Sequence, residues 1–276
     1  MPEIVEVRVV ASVLKKQIIG KKIEKVKILY SGIIDKDVND FISEIEKKTI
    51  LNINTYGKWL MFDLGEKTML SHLRMEGKYF YVPSENKITK HDHIIFSLDN
   101  GYDLRYNDVR KFGKMLTVDT NKIYECSHIK KLGIEPDDKR LTTDYLLNKF
   151  KNKKIPIKEA LLDQSIINGL GNIYVNEVLF ASKINPFKKA SDITKDEASK
   201  IIKESSKIIT RSYELGGTTI KSYTSSLGVI GHYQDELKVQ SKEGMPCLIC
   251  NTPIKRKKIG GRSTFYCEKC QKTNIG

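Results

Sequence analysis

The chain has 276 residues, enough for two domains or for one domain with an appended module. Its 48 Lys and Arg against 34 Asp and Glu leave a formal net charge of +14, and such an excess favours polyanionic partners. No apolar run reaches the ~18 residues of a membrane-crossing helix and the start lacks the layout of a signal peptide, so a soluble, intracellular, nucleic-acid-facing protein is expected; no amphipathic helix combines a basic face with aromatic anchors, so no membrane partner is expected either.

The chain opens MPEIVEV. Once Met1 is trimmed, Pro2 carries a free secondary amine, and an α-amino group titrates near 7.7–8.0, well below a lysine. Such an amine is partly unprotonated at neutral pH and forms Schiff bases with carbonyl carbons. Proline also suits the first turn of a helix, where Glu3 and Glu6 would complement the positive end. Val7, Val10, Leu14 and Ile18 recur at helical spacing over residues 3–19, and Gly20 is the stop.

From about 23 to 119 short apolar or alternating runs take over, among them ILNINTY, WLMFDL, KYFYVP, HIIFSL and KMLTV. Asn100-Gly101 between two of them is a hairpin signal, because this pair tolerates positive φ. This half reads as an antiparallel sandwich or barrel preceded by a helix. The stretch KLGIEPDD near 132–138 marks a boundary, after which TTDYLLNKF, IKEALLDQSII, NIYVNEVLFAS and KDEASKIIKESSKIITRSYE carry helical periodicity. The INGLGN turn separates two of these helices, and a Gly/Ser/Thr-rich segment at 216–233 is expected to be mobile. The chain thus divides into a domain over 1–132, a helical domain over 133–225 and a closing module over 226–276.

That module holds Cys247, Cys250, Cys267 and Cys270 in a C-x2-C-x16-C-x2-C pattern. Paired thiolates at this spacing predict one closed, tetrahedral, structural Zn2+ site rather than disulfides. Cys126 stands alone and is expected to be a buried, small apolar residue.

MPEIVEV, YGKWLMFDL, HLRMEGK, KHDH, RKFG, NGLGNIYVNEVLF, GGTT and GGRSTFYCEKCQ occur in that order along nearly the whole chain. In them the sequence closely resembles the formamidopyrimidine-DNA glycosylase (Fpg) family. The resemblance implies an α+β protein with an N-terminal helix and antiparallel β-sandwich domain. A helix–two-turn–helix domain with a β-hairpin zinc finger would follow, and DNA would lie in the cleft between them.

It further implies a bifunctional glycosylase and abasic-site lyase in which Pro2 attacks C1′ of an oxidised purine nucleotide. Glu3 would manage protons, and Glu6 would bond the helix end or the sugar. Lys58 would support the chemistry from the start of its strand. Eversion of the base costs a few kcal/mol, and Met75, Arg110 and Phe112 would enter the vacancy, Arg110 facing the orphaned base. His91, Lys154 and Asn172 match phosphate-holding positions. Asn172 is also a good N-cap, one or both of Lys154 and Lys158 should line the cleft, and His93 is the neighbour that would serve structure. Arg262 would grip a phosphate and assist δ-elimination, Glu177 would support the segment over the everted base, and a monomer is expected.

Val5 and Arg8 depart from the usual family start, and Arg8 is closer to the sister endonuclease VIII family, which acts on oxidised pyrimidines. A catalytically silent, zinc-stabilised DNA-binding protein is the reading of a different class.

Overall fold

The computed structural model describes residues 2–218 and 231–272. The part of the Gly/Ser/Thr-rich segment over 219–230, including any cover for an everted base, lies outside the described residues. Two compact units are present, Met1–Lys130 with Gly216–Gly231, and Lys131–Leu215 with His232–Gly276.

In the first unit, helix α1 (Ile4–Ile18) buries Val7, Val10, Leu14 and Ile18, the stripe its sequence periodicity predicts. Gly20 follows at φ 79°, a left-handed conformation that ends the helix at little cost only for glycine. Strands β1 (Ile23–Ile28), β2 (Asn52–Tyr56), β3 (Trp59–Asp63), β4 (Lys67–His72), β5 (Lys78–Pro83), β6 (Asp92–Leu98), β7 (Tyr102–Asn107) and β8 (Lys114–Asp119) form two antiparallel four-stranded sheets. Their orders are β1-β6-β7-β5 and β2-β3-β4-β8.

Ile53, Leu60, Phe62 and Met69 of one sheet and Tyr79, Ile94, Phe96 and Tyr106 of the other join the α1 stripe in one continuous core. Gly101 supplies the positive φ, 79°, in the β6–β7 hairpin.

A short helix, α2 (Val38–Ile45), interrupts the run of strands, which the sequence reading did not resolve. Its signals are local: the Asp37 carboxylate accepts from Asn39 N and Asp40 N, and Phe41 and Ile45 share one buried face. Helix α3 (Ser127–Lys130) closes this unit. Just before it Cys126 is partly exposed, not buried as expected, because it terminates a surface 3-10 turn and has no core face to fill.

The second unit holds α4 (Thr143–Phe150), α5 (Ile157–Leu162), α6 (Asn172–Ala181), α7 (Lys195–Glu214) and a hairpin of β9 (Lys255–Ile259) and β10 (Arg262–Tyr266). The Thr142 hydroxyl caps α4, and Thr194 with Glu197 forms a reciprocal cap on α7.

Helix α5 is shorter than its apolar run, because polar side chains claim the backbone beyond Leu162. Asp163 accepts from Ser165 N, and Gln164 donates to Leu162 O and Leu170 O while accepting from Gly169 N. Gly169 at φ 98° completes the turn into α6. Among the described residues no helix is long and apolar enough to cross a membrane.

Candidate active site and metal centre

The N-terminal end of α1 is built around Glu6. Its Oε2 accepts from Glu3 N at 2.9 Å, and its Oε1 accepts from Thr218 N at 2.9 Å and Thr218 Oγ1 at 2.8 Å. Gly217 makes this approach possible with φ 78°, and a Cβ there would stand 3.1 Å from Glu6 Oε1. Val5, buried beside Gly217, fills the same corner. Charge-assisted bonds of this kind contribute about 1.5–3 kcal/mol each. Glu6 therefore fastens the start of α1 to the returning GGTT segment, and Thr218 is a member of this site that sequence reasoning had not singled out.

Pro2 and Glu3 directly precede α1, and both are buried.

Lys58 follows Gly57 (φ 56°) in the β2–β3 turn and is buried. Its charge is felt at His72, whose pKa falls to about 3 through burial and the charges of Arg74, Lys58 and His128. A neutral His72 suits its geometry, because its Nδ1 accepts from Arg74 N at 3.0 Å.

Met75 and Phe112 are surface side chains, 37% and 53% exposed, on loops whose neighbours Arg74 and Lys111 take φ of 54° and 58°. The Arg110 guanidinium stacks over the Phe112 ring at 4.7 Å. His91 is partly exposed, and its carbonyl accepts from Asp108 N at 3.0 Å. His93 is buried, with Nε2 2.8 Å from Asp108 O and its ring against Tyr30. The two histidines differ, His91 partly exposed and His93 buried in the fold.

The second unit carries Lys154, Lys158, Asn172 and Arg262. Lys154 is exposed. Lys158 is 0% exposed, and its Nζ donates to Ser263 O and Thr264 Oγ1, both at 2.9 Å. An ammonium buried among carbonyl and hydroxyl acceptors serves the fold, and of this pair of lysines Lys154 is the one at the surface. Asn172 is not the N-cap of α6. Gly171 holds that position, and Asn172 Nδ2 donates to Ser263 O at 3.1 Å. Lys158 and Asn172 thus converge on one carbonyl of β10 and tie the hairpin to the helices.

Arg262 opens β10 and is exposed, immediately after Gly260 (φ 53°) and Gly261 (φ 74°). Two consecutive positive-φ residues make the tight hairpin turn that only glycine or a few polar residues accept. A side chain at Gly260 would also meet the Glu159 carboxyl at 3.1 Å. Glu177 is buried and accepts from the N–H groups of Lys238, Val239 and Gln240, so it anchors the chain entering the cysteine module. Burial pushes its carboxyl up, and those three donors pull it back.

Cys247, Cys250, Cys267 and Cys270 place their Sγ atoms within 4.8 Å of one another, with pairs at 3.8 and 3.4 Å. Four thiolates about 2.3 Å from a tetrahedral Zn2+ lie about 3.8 Å apart, so the donor set fits one zinc ion with no open position. Gln271 braces the second knuckle, accepting from Cys267 N and donating to Ile184 O. Phe180, Val239, Ile254 and Phe265 pack around Cys247 and Cys267. Zinc bound there would supply folding energy and no chemistry.

Three family models match the chain: the formamidopyrimidine-DNA glycosylase N-terminal domain over residues 1–115, the formamidopyrimidine-DNA glycosylase H2TH domain over 132–224, and the zinc finger found in FPG and IleRS over 244–273. The chain is similar to the formamidopyrimidine-DNA glycosylase of Ligilactobacillus salivarius, 43% identical over 98% of this chain and 99% of that protein. That of Lactobacillus delbrueckii subsp. bulgaricus is 40% identical over 99% of this chain and 100% of its own length. Among solved structures, Lactococcus lactis Fpg in complex with abasic-site DNA superposes with TM-score 0.92 at 34% identity, covering 98% of this chain and 100% of that one. MutM in complex with DNA containing carbocyclic 8-oxo-G gives TM-score 0.92 and 34% identity over 99% and 100% of the two chains.

Proposed function

Because this chain belongs to the formamidopyrimidine-DNA glycosylase family, we propose that it excises oxidised purines from duplex DNA through a Schiff base on Pro2 and then cuts the abasic strand. It is a DNA glycosylase that acts on damaged DNA as a single chain carrying a zinc finger. We place its work in the cytoplasm, at the nucleoid, a reading that its bacterial relatives support.

The Pro2 nitrogen, freed by removal of Met1, attacks C1′ as the bond to the base breaks, and the base leaves with a proton. The sugar ring opens to an iminium on Pro2. Loss of the C2′ proton then expels the 3′ phosphate (β-elimination), and a second proton loss expels the 5′ phosphate (δ-elimination). Hydrolysis of the iminium returns Pro2 as the free amine.

The observation that carries this assignment is the reciprocal capping by two carboxylates at one helix end. Glu6 accepts from Glu3 N and Thr218, and the Glu3 side chain accepts from the Glu6 N–H in turn, so the pair fixes the backbone that presents Pro2, and Glu3, adjacent to that nitrogen, is assigned the proton transfer. Lys58 and Arg262 support the eliminations, and Met75, Arg110 and Phe112 fill the gap left by the everted nucleotide. Exposed Lys154, partly exposed His91 and the backbone N–H groups at the N-terminus of α6 meet phosphates.

A panel of duplexes differing in one base tests the substrate class. Rapid base release is expected from 8-oxoguanine and formamidopyrimidine, with release from an oxidised pyrimidine at least about tenfold slower. Arg8 favours one alternative, endonuclease VIII-like action, and release from oxidised pyrimidines alone would establish it in place of the purine reading.

A further inference from the structure

We propose that Asp108, together with Tyr106, is a positioning residue that fixes the loops carrying Met75, Arg110 and Phe112 as one rigid unit before DNA arrives. This rests on the reading that those three side chains enter the duplex.

Asp108 is 0% exposed, yet it serves an exposed loop. Its Oδ1 accepts from Arg110 N, and its Oδ2 accepts from Phe112 N and Gly113 N, all at 2.9 Å. The Tyr106 hydroxyl donates to the same Oδ2 at 3.4 Å. That hydroxyl lies where two side chains would otherwise begin: a Cβ at Gly77 would stand 2.1 Å from it, and one at Gly113 would stand 1.9 Å away. Gly77 ends the Met75 loop, whose N–H donates back to Leu73 O at 2.9 Å, and Gly113 ends the Arg110–Phe112 loop. Both loops therefore close on one buried tyrosine oxygen, and only glycine fits at either foot.

The fold gains little from holding this loop still. Val109 and Phe112 are 55% and 53% exposed, and Arg110 and Lys111 are exposed as well, so no core side chain anchors it. Lys111 is held at φ 58°, a conformation a lysine adopts only when its surroundings impose it. A buried carboxylate spent on the N–H groups of a solvent-facing loop is preorganisation. The ordering cost is met on folding, and it does not subtract from the energy available for prising a base out of the stack.

The test compares two duplexes, one with 8-oxoguanine opposite cytosine and one with a preformed abasic site at the same place, under single-turnover conditions. Eversion of a stacked, paired base depends on the wedge, whereas the abasic sugar has no base to evert. Asp108→Ala is expected to slow base release roughly 30-fold, the kinetic equivalent of losing one charge-assisted bond, with abasic cleavage changed less than about threefold. Asp108→Asn keeps the side-chain volume and one acceptor oxygen, so it should fall between, at an unchanged melting temperature. It carries the test if the alanine variant does not fold. Base release unaffected in a folded variant, or equal loss on both duplexes with wild type active, overturns the positioning role. Wild-type protein inactive on both duplexes would instead overturn the enzyme reading beneath it.

Discussion

Replacing Pro2 with glycine is expected to reduce base release by roughly 10²–10³-fold while lesion-duplex affinity stays within about tenfold. Glycine leaves a primary amine at the same place, so this substitution asks what the ring contributes. A secondary amine condenses to an iminium whose positive charge is permanent, whereas a primary amine gives an imine that must acquire a proton before it can serve as an electron sink. The ring also locks rotation about the N–Cα bond, which fixes the direction of the nitrogen lone pair toward C1′.

Neither advantage concerns the helix itself. Val5, Val7 and Leu14 remain buried, and Glu6 still holds Glu3 N and Thr218, so the variant should fold and bind. Single-turnover kinetics with the initiator Met1 verified as absent is the measurement. Unchanged turnover would reject the requirement for a secondary, ring-held amine at the N-terminus.

Cys247→Ala is expected to abolish zinc binding and to weaken lesion-duplex binding by about 10²-fold or more. Structural zinc binding is worth on the order of 10 kcal/mol, and three thiolates do not retain it. Cys247 is also buried in the small cluster with Phe180, Ile254 and Phe265. A lone two-stranded hairpin is marginal in water. The β9–β10 hairpin depends on that cluster and on the bonds from Lys158 and Asn172 to Ser263 O. Once the knuckles loosen, Arg262 loses its fixed place at the tip, and an arginine without a set geometry cannot grip a phosphate bidentately. Metal quantification beside a binding titration reads both effects. Full zinc content with normal binding would contradict a structural centre.

Features with a local cause were legible in the chain. The α1 stripe, the cysteine quartet, the Asn100-Gly101 hairpin and the Gly260-Gly261 tip follow from periodicity, ligand spacing and the φ that glycine permits. Met75 and Phe112 were legible as loop residues because each lies close to a glycine that ends its strand pattern.

What could not be read has a common origin in partners distant along the chain. Lys158 looked like a surface lysine until Thr264 and Ser263 met it. Glu177 accepts from the backbone of Lys238, Val239 and Gln240, some sixty residues further on. Asp108 lies in a stretch whose arginine and phenylalanine drew the attention, while its own part depends on Tyr106 and His91. Hydrogen bonds of this kind leave no periodic trace. Helix α2 is a different case, since its cap and its Phe41–Ile45 pair were present but lay within a long β-rich region.

The central claim, that the terminal nitrogen of Pro2 forms the covalent intermediate, is tested most directly by borohydride reduction during turnover. Met-trimmed protein is mixed with a duplex containing one 8-oxoguanine opposite cytosine, reduced, digested, and the adduct located by peptide mass. The account predicts a stable protein–DNA adduct on the N-terminal peptide, attached at Pro2. An adduct confined to a lysine such as Lys58, or no adduct while the strand is still being cut, would contradict it.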